Sequence, residues 1–360
     1  MRRTAALIVG GGPAGSAAAI GLARAGMEAE LIERSEGPRD IVCGGFLGWD
    51  ALAALERLGL DPAALGARPI GRLRLISAKR SLEVALPRMA AGLSRRTLDE
   101  ALLAAARTAG AGVRRGKAVR AADLGTRRVR LDDEEEIESK RLVLATGKHE
   151  LRGAGRPVDI STRPLGLRTA LAPTPELARA LEGTIELHLY DGGYAGLLMQ
   201  EDGTANLCLS ASRERLKEAG GVEPLVERLA DELPAFAQRL EQGEPSGWSA
   251  VSGVPYGWRG ASTVDGVYRV GDQAAVIASI AGDGIAIALE SGAAAARAIA
   301  GGVPAAEFQR GWARRARRPV GLAEALRQSA EHSLPREAMM GLLAWFPALA
   351  PLAARLTRIG

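Results

Sequence analysis

Three glycines within six residues, Gly10, Gly12 and Gly15, constrain this chain more than any other feature. The apolar run Thr4–Val9 leads straight into them. A helix-compatible run, Ser16–Ala25, follows and is closed by Gly26. A second apolar run, Ala29–Ile32, ends on Glu33. This order predicts a strand, a tight turn, a helix and a parallel strand. Each glycine meets a separate steric demand: Gly10 allows the tight turn, Gly12 lets backbone approach a pyrophosphate, and Gly15 lets helix and strand touch. The helix start then offers unpaired N–H groups and a partial positive charge to the phosphates. Glu33 stands 18 residues beyond Gly15, where a carboxylate accepts hydrogen bonds from an adenosine ribose. A glycine-rich turn with a solvated strand end is the plainer alternative, but it leaves the joint spacing unexplained. The segment reads as a dinucleotide-binding unit.

Bulk properties bound the rest. The 360 residues, 47% hydrophobic and 25% charged, suffice for one large core or two joined domains. Two cysteines, Cys43 and Cys208, cannot form a disulfide framework and point to a reducing compartment. No secretory signal fits the amino terminus, where the first strand begins almost at once, so a cytoplasmic location is expected. The net charge of +5 favours anions, but basic residues are spread along the chain and aromatics are only 4%. Nucleic acid is therefore not an expected partner. The acidic run Asp132–Glu136 has no histidine or cysteine beside it and reads as a solvated turn, so no metal site is expected.

Later segments carry a family resemblance. Gly11-Gly-Pro-Ala-Gly-Ser-Ala-Ala18, Cys43-Gly-Gly45, Arg95-Arg-Thr-Leu-Asp-Glu-Ala-Leu102, Gly193-Tyr194 through Asn206-Leu207, Val254-Pro-Tyr-Gly257 and Gly271-Asp272 with Gly282-Asp-Gly284 stand in order. Together they resemble flavoproteins of the geranylgeranyl reductase and para-hydroxybenzoate hydroxylase superfamily over about residues 3–300. The resemblance implies FAD as cofactor. It implies contacts from Gly10, Gly12, Pro13, Ala14, Gly15, Glu33, Arg34, Cys43, Gly44, Arg95, Val119, Thr146, Gly147, Gly271, Asp272, Gly282, Gly284 and Ile285. In the family the arginine of the Arg95 helix approaches the ribityl–phosphate chain, the aspartate of the Gly271-Asp272 pair binds the ribityl hydroxyls, and the later glycine turn holds the flavin ring.

The expected fold is α/β: a discontinuous Rossmann-like FAD-binding domain, an antiparallel-sheet substrate domain and a C-terminal helical segment. The first takes residues 1–70, 90–160 and 255–305, the second 71–89 and 161–254, and the third 306–360. Alternating runs around Ala78-Lys-Arg80 predict a hairpin, and Thr184–Tyr190, Tyr194–Gln200 and Ala205–Ser210 predict a meander. Residues 223–241 carry helical spacing broken near Pro234. Ala338–Ala354 has no charged side chain but two prolines, Pro347 and Pro351, and is too short to span a bilayer. A broken helical pair packed on the core is the first reading there, and peripheral contact with a membrane surface the second.

Three departures from the family pattern matter. Ser279 replaces the proline of the second flavin motif. Thr146-Gly147-Lys148-His149 lacks the acid of the hydroxylases' aspartate–glycine motif, which puts a direct nicotinamide site in doubt, although NAD(P)H is still the expected electron donor. Tyr194–Met199 stands where related halogenases carry a tryptophan-rich signature, so halogenation is set aside. Cys43, His188 and Tyr190 are the candidate catalytic side chains, the last two as polar contacts of a cavity. Cys43 reads equally as a small buried residue, and for a lone histidine such as His188, which could face cavity or solvent, a structural or surface role is the first reading. Tyr194, Tyr256 and Trp258 are candidate pocket walls. The leucines of the meander favour a lipophilic or aromatic substrate. Two reactions fit: hydroxylation through a reduced-flavin hydroperoxide, as in a monooxygenase, and as the alternative reduction of a conjugated or isoprenoid double bond. Hydroxylation is placed slightly ahead.

Overall fold

A computed structural model describes residues 2–159, 161 and 163–359. The predicted nucleotide unit forms. Strand Arg2–Val9 enters the glycine turn, helix Pro13–Arg24 leaves it, and strand Ala29–Glu33 pairs parallel to the first. The sheet runs Gly112–Arg115, Ala29–Glu33, Arg2–Val9 and Glu136–Leu144, all parallel. Glu136–Leu144 then serves two partners. Its first half joins the antiparallel meander Val119–Asp123 and Arg128–Leu131, and its second half pairs in parallel with Val267–Arg269. Helix Gly284–Ala300 packs along Pro13–Arg24 so closely that a Cβ on Gly292 would lie 2.1 Å from the Ala14 carbonyl oxygen. The apolar side chains between these helices and the sheet make the main core.

The second sheet is largely antiparallel. Thr184–Tyr190, Gly193–Met199 and Ala205–Ala211 follow one another with tight turns, and Leu165–Pro173, earlier in the chain, pairs antiparallel with Ala205–Ala211. The predicted hairpin forms as Arg68–Ile76 and Ser81–Gly92, strands that run past the expected bounds at 70 and 90. It joins the meander through a parallel pair, Arg72–Ile76 against Thr184–His188, which a purely antiparallel expectation missed. Helices Val222–Glu232 and Pro234–Glu241 cover one face, with Phe236 and Leu229 fully buried against Leu197, Leu207 and Leu209. Val254–Gly257, which the family resemblance would make a strand returning to the nucleotide domain, is an irregular connection in which the Val254 amide donates to the Pro164 carbonyl. Helices Ala305–Ala330, Ser333–Trp345 and Leu349–Leu356 close the chain.

Candidate FAD site

The turn after the first strand tolerates no side chains. A Cβ on Gly15 would stand 1.9 Å from the Gly10 carbonyl oxygen, and one on Gly10, at φ +107°, would stand 2.4 Å from that of Ala145. Helix Pro13–Arg24 starts at Gly12 without a side-chain cap. The amides of Ala14 and Gly15 therefore have no intrahelical acceptor. Arg95 Nη2 lies 3.2 Å from where a Cβ on Gly12 would be, so its guanidinium overlooks the turn. Ser94 caps the helix that carries it, and Asp99 holds it through two bonds of 2.8 Å. Burial opposes its charge, but Asp99 and the Cys43 sulfur more than offset that and raise its pKa. A bare helix start beside a fixed cation fits a diphosphate.

Glu33 does more than the sequence implied. Its Oε2 accepts from the Gly11 amide at 2.7 Å and its Oε1 from the Ser35 amide at 2.8 Å, so it braces the turn it faces. Burial pushes its pKa up, yet these amides bring it below the ordinary value. An ionised carboxylate retains lone pairs for ribose hydroxyls. Arg34 Nη2 meets His149 Nε2 at 2.6 Å. Burial, then neighbouring arginines, lowers the His149 pKa, which makes its Nε2 the acceptor. The Lys117 amide donates to the Glu33 carbonyl and brings the Val119 strand beside this end of the site.

At the flavin end the Gly271 amide donates to Ser291 Oγ at 2.7 Å, and Asp272 Oδ2 lies 3.6 Å from Lys148 Nζ. Gln273 Nε2 donates to the Gly147 carbonyl, and Thr146 Oγ1 to that of His149. Gly44, Gly147 and Gly284 all open onto space in which an added Cβ would touch nothing within 4 Å. Asp283 precedes helix Gly284–Ala300 but does not cap it. Its carboxylate is turned back to Arg358 Nη1 at 2.9 Å and the Ile359 amide at 3.0 Å. Burial pushes Asp283 up to about 6 despite Arg358. The amides near Ile285 thus start a helix without a side-chain cap. These features fit FAD: a diphosphate at Gly12, ribityl hydroxyls at Asp272, and ring oxygens at the Gly284 turn.

The Cys43 loop is bound to the second sheet. Asn206 Nδ2 donates to the Cys43 and Gly44 carbonyls at 3.1 and 2.9 Å, while Arg168 bonds Asn206 and pairs with Asp40. This places Cys43 between the two domains, beside Arg95. Cys208, two residues beyond Asn206, is pushed up to about 12 by burial and stays a thiol.

Two candidates are corrected. His188 is fully buried, with Nε2 3.1 Å from Glu186 Oε2 and its ring edge-on to Phe236. Tyr190 donates its hydroxyl to the Ser210 carbonyl at 2.9 Å and is equally buried. Side chains alternate along a strand, so Glu186, His188 and Tyr190 all face the covering helices. Leu187 and Leu189 face the opposite way, with Tyr194, Ile280, Met339, Met340 and Leu343. The leucines, not the polar residues, face the turn that carries Ile280. The sequence also missed a hydroxyl cluster. Tyr194 and Tyr256 both hydrogen-bond Ser279 Oγ, Tyr256 at 2.7 Å, and Ser279 is exposed on the turn before Gly282. The sequence marks both tyrosines only as candidate walls, and Ser279 only as the replacement of a proline.

Fold and site together describe a nucleotide-binding domain whose residues fit FAD. Residues 3–162 match the family described as FAD binding domain, so this part of the chain is an FAD-binding domain. Menaquinone reductase of Mycobacterium tuberculosis strain CDC 1551 / Oshkosh is 34% identical over 150 residues, which is 39% of this chain and 37% of that protein. The chain thus matches less than two fifths of the length of its curated relatives. Among solved structures, the flavin-dependent brominase Bmp2 superposes with a TM-score of 0.81 at 18% identity, covering 99% of this chain and 93% of its own. A geranylgeranyl bacteriochlorophyll reductase-like protein from Thermoplasma acidophilum gives 0.75 at 20%, covering 94% and 90%. At such identities what is shared is the fold.

Proposed function

We propose that this protein is an FAD-dependent oxidoreductase that saturates a carbon–carbon double bond in a lipophilic, isoprenoid- or quinone-type substrate. The observation that carries the reading is the Tyr194–Ser279–Tyr256 hydroxyl cluster, set on the flavin turn against an apolar wall. FAD, when bound and reduced, supplies two electrons and one hydrogen to the double bond and is itself oxidised. The second hydrogen must arrive as a proton. Burial raises the Tyr194 pKa well above the ordinary value, which keeps that hydroxyl protonated. Ser279, exposed and bonded to both phenols, links them to solvent for reprotonation. Leu187, Leu189 and Ile280 exclude water and hold an apolar chain. Arg95, Glu33 and Asp272 hold the cofactor and take no part in the proton's path. The partial identity to a menaquinone reductase supports a lipid-type substrate.

Hydroxylation, which the sequence puts slightly ahead, becomes the second reading, because a reduction needs a proton donor for the second hydrogen and the protonated Tyr194 hydroxyl stands at the turn. A nicotinamide donor that re-reduces FAD belongs to the proposal in either case. The test is anaerobic incubation of the FAD-loaded, dithionite-reduced protein with a polyprenyl quinone in detergent, read by mass spectrometry. Gain of two hydrogens that survives reoxidation of the quinone ring, and so lies in the polyprenyl chain, supports the reading, and Tyr194→Phe should slow it. No gain without oxygen, together with insertion of one oxygen atom when air is admitted, would overturn it in favour of hydroxylation.

A further inference from the structure

Helix Ser333–Trp345 is turned the wrong way for a helix buried in a soluble core. Leu334, Ala338, Leu342 and Trp345 recur at helical spacing on one face, and that face is exposed, with Leu334 84% and Trp345 83% accessible. The following Phe346 is 60% accessible, and Leu352 and Leu356 continue the outward face on helix Leu349–Leu356. Of eight large apolar side chains exposed among the described residues, six lie between 334 and 356. Met89, a seventh, stands on strand Ser81–Gly92, against which the last helix packs. The two helices, of 13 and 8 residues, meet at a bend of 117°. Neither alone reaches the roughly 20 residues needed to cross a bilayer.

Charge identifies the occupant. Basic residues are spread along the chain, but the excess is not. Residues 306–360 hold nine arginines and four glutamates, an excess of five that equals the net charge of the whole protein, so the other 305 residues balance. After Glu337 no acid follows, and Glu337 is itself turned inward to Ser77 and Arg80. Arg355 is exposed between Leu352 and Leu356, and Arg315 of the arginine-rich helix bonds the Ile359 carbonyl. A second copy docking by two-fold symmetry would oppose two such basic segments. Anionic headgroups neutralise them while the apolar face enters the acyl boundary and Trp345 sits at headgroup level.

We propose that the bent pair Ser333–Leu356 seats this protein on an anionic lipid surface, lying in the interface rather than crossing it. The inner side of the same helix carries Met339, Met340 and Leu343, which pack on Leu187 and Leu189 beside the flavin turn. One helix therefore separates lipid from site, and an apolar substrate moves between them without entering water; this last clause rests on the proposed reaction, the docking does not.

The experiment is flotation of the full-length FAD-bound protein with vesicles of phosphatidylcholine alone or mixed with phosphatidylglycerol. The wild type should float with the anionic vesicles, weakly with the neutral ones, and be released by high salt. The double variant W345E/F346E should lose affinity about tenfold or more while keeping its FAD absorbance and circular dichroism. Arg314→Glu with Arg318→Glu should weaken binding only to anionic vesicles. No binding of the wild type, or unchanged binding of W345E/F346E, overturns the proposal. So does lipid-independent dimerisation that W345E/F346E abolishes, which would assign the face to a second copy. Flotation reads no turnover, so its failure is distinct from failure of the reductase reading.

Discussion

Replacing Glu186 by glutamine keeps the side chain's size and removes its charge. In the fold this carboxylate is fully buried: Oε1 accepts from Arg74 and from Arg239 Nη2 at 2.9 Å, and Oε2 accepts from Arg239 Nε at 3.0 Å and meets His188 Nε2. Burial alone raises its pKa, but the His188 and Arg239 bonds overcome that and bring it to about 2, against 4.5 for a free glutamate. At about 1.4 kcal/mol per unit, the difference corresponds to roughly 3 kcal/mol of stability at neutral pH. A depressed folded-state pKa means this contribution is complete above pH 4.5 and is lost as pH falls from there towards 2. Glu186→Gln should therefore cost roughly 3 kcal/mol at neutral pH, near the low end for breaking a buried pair, since Arg74 and Arg239 still reach solvent. Urea unfolding followed by circular dichroism, repeated at neutral pH and near pH 4, reads both quantities. The variant should also lose less on acidification than its parent. A variant within about 0.5 kcal/mol of the parent at neutral pH, or one with the parent's acid slope, would refute the reasoning.

Gly12→Val should abolish FAD binding, read as loss of the flavin absorbance, because the new side chain enters the space between the helix start and Arg95. Glu33→Ala should weaken FAD by about 1–3 kcal/mol in calorimetry, the range for hydrogen bonds to a charged group, through both the ribose and the loosened Gly11 amide. Arg358→Ala leaves the Asp283 carboxylate buried without its cation and should lower thermal stability by about 3–5 kcal/mol, most of it regained in Arg358→Ala with Asp283→Asn. Tyr194→Phe should lower turnover with little change in FAD affinity, because its hydroxyl bonds Ser279 rather than any residue that holds the cofactor.

What could be read from the sequence was what rests on local spacing. Gly10, Gly12, Gly15 and Glu33 act within one unit of strand, turn and helix, and each stands where its steric role requires. The Thr184–Ala211 meander was legible because its turns carry glycine and aspartate. Face was not legible. In Thr184–Tyr190 both faces are buried, so alternation leaves no polar side to mark solvent, and nothing in the sequence tells that helices cover His188 and Tyr190. The Ser279 cluster was illegible for a different reason: Tyr194 and Ser279 are 85 residues apart, and only the packing of two domains brings them into contact.

The same long-range closure ties the end of the chain to the flavin turn. Arg358 donates to the Gly282 carbonyl and to Asp283, and its guanidinium lies over the rings of Trp49, at 4.3 Å, and Phe46. A glycine turn at a helix start has little to hold it, since Gly282 sits at φ +67° and Asp283 makes no cap. Here the missing cap is replaced from outside: the acid that would have covered the helix amides is drawn away by Arg358 and Ile359, which leaves those amides free for a ligand and fixes the turn at the same time. The Gly282–Asp283 turn is thus held by Arg358 and Ile359, two residues just beyond the last helix.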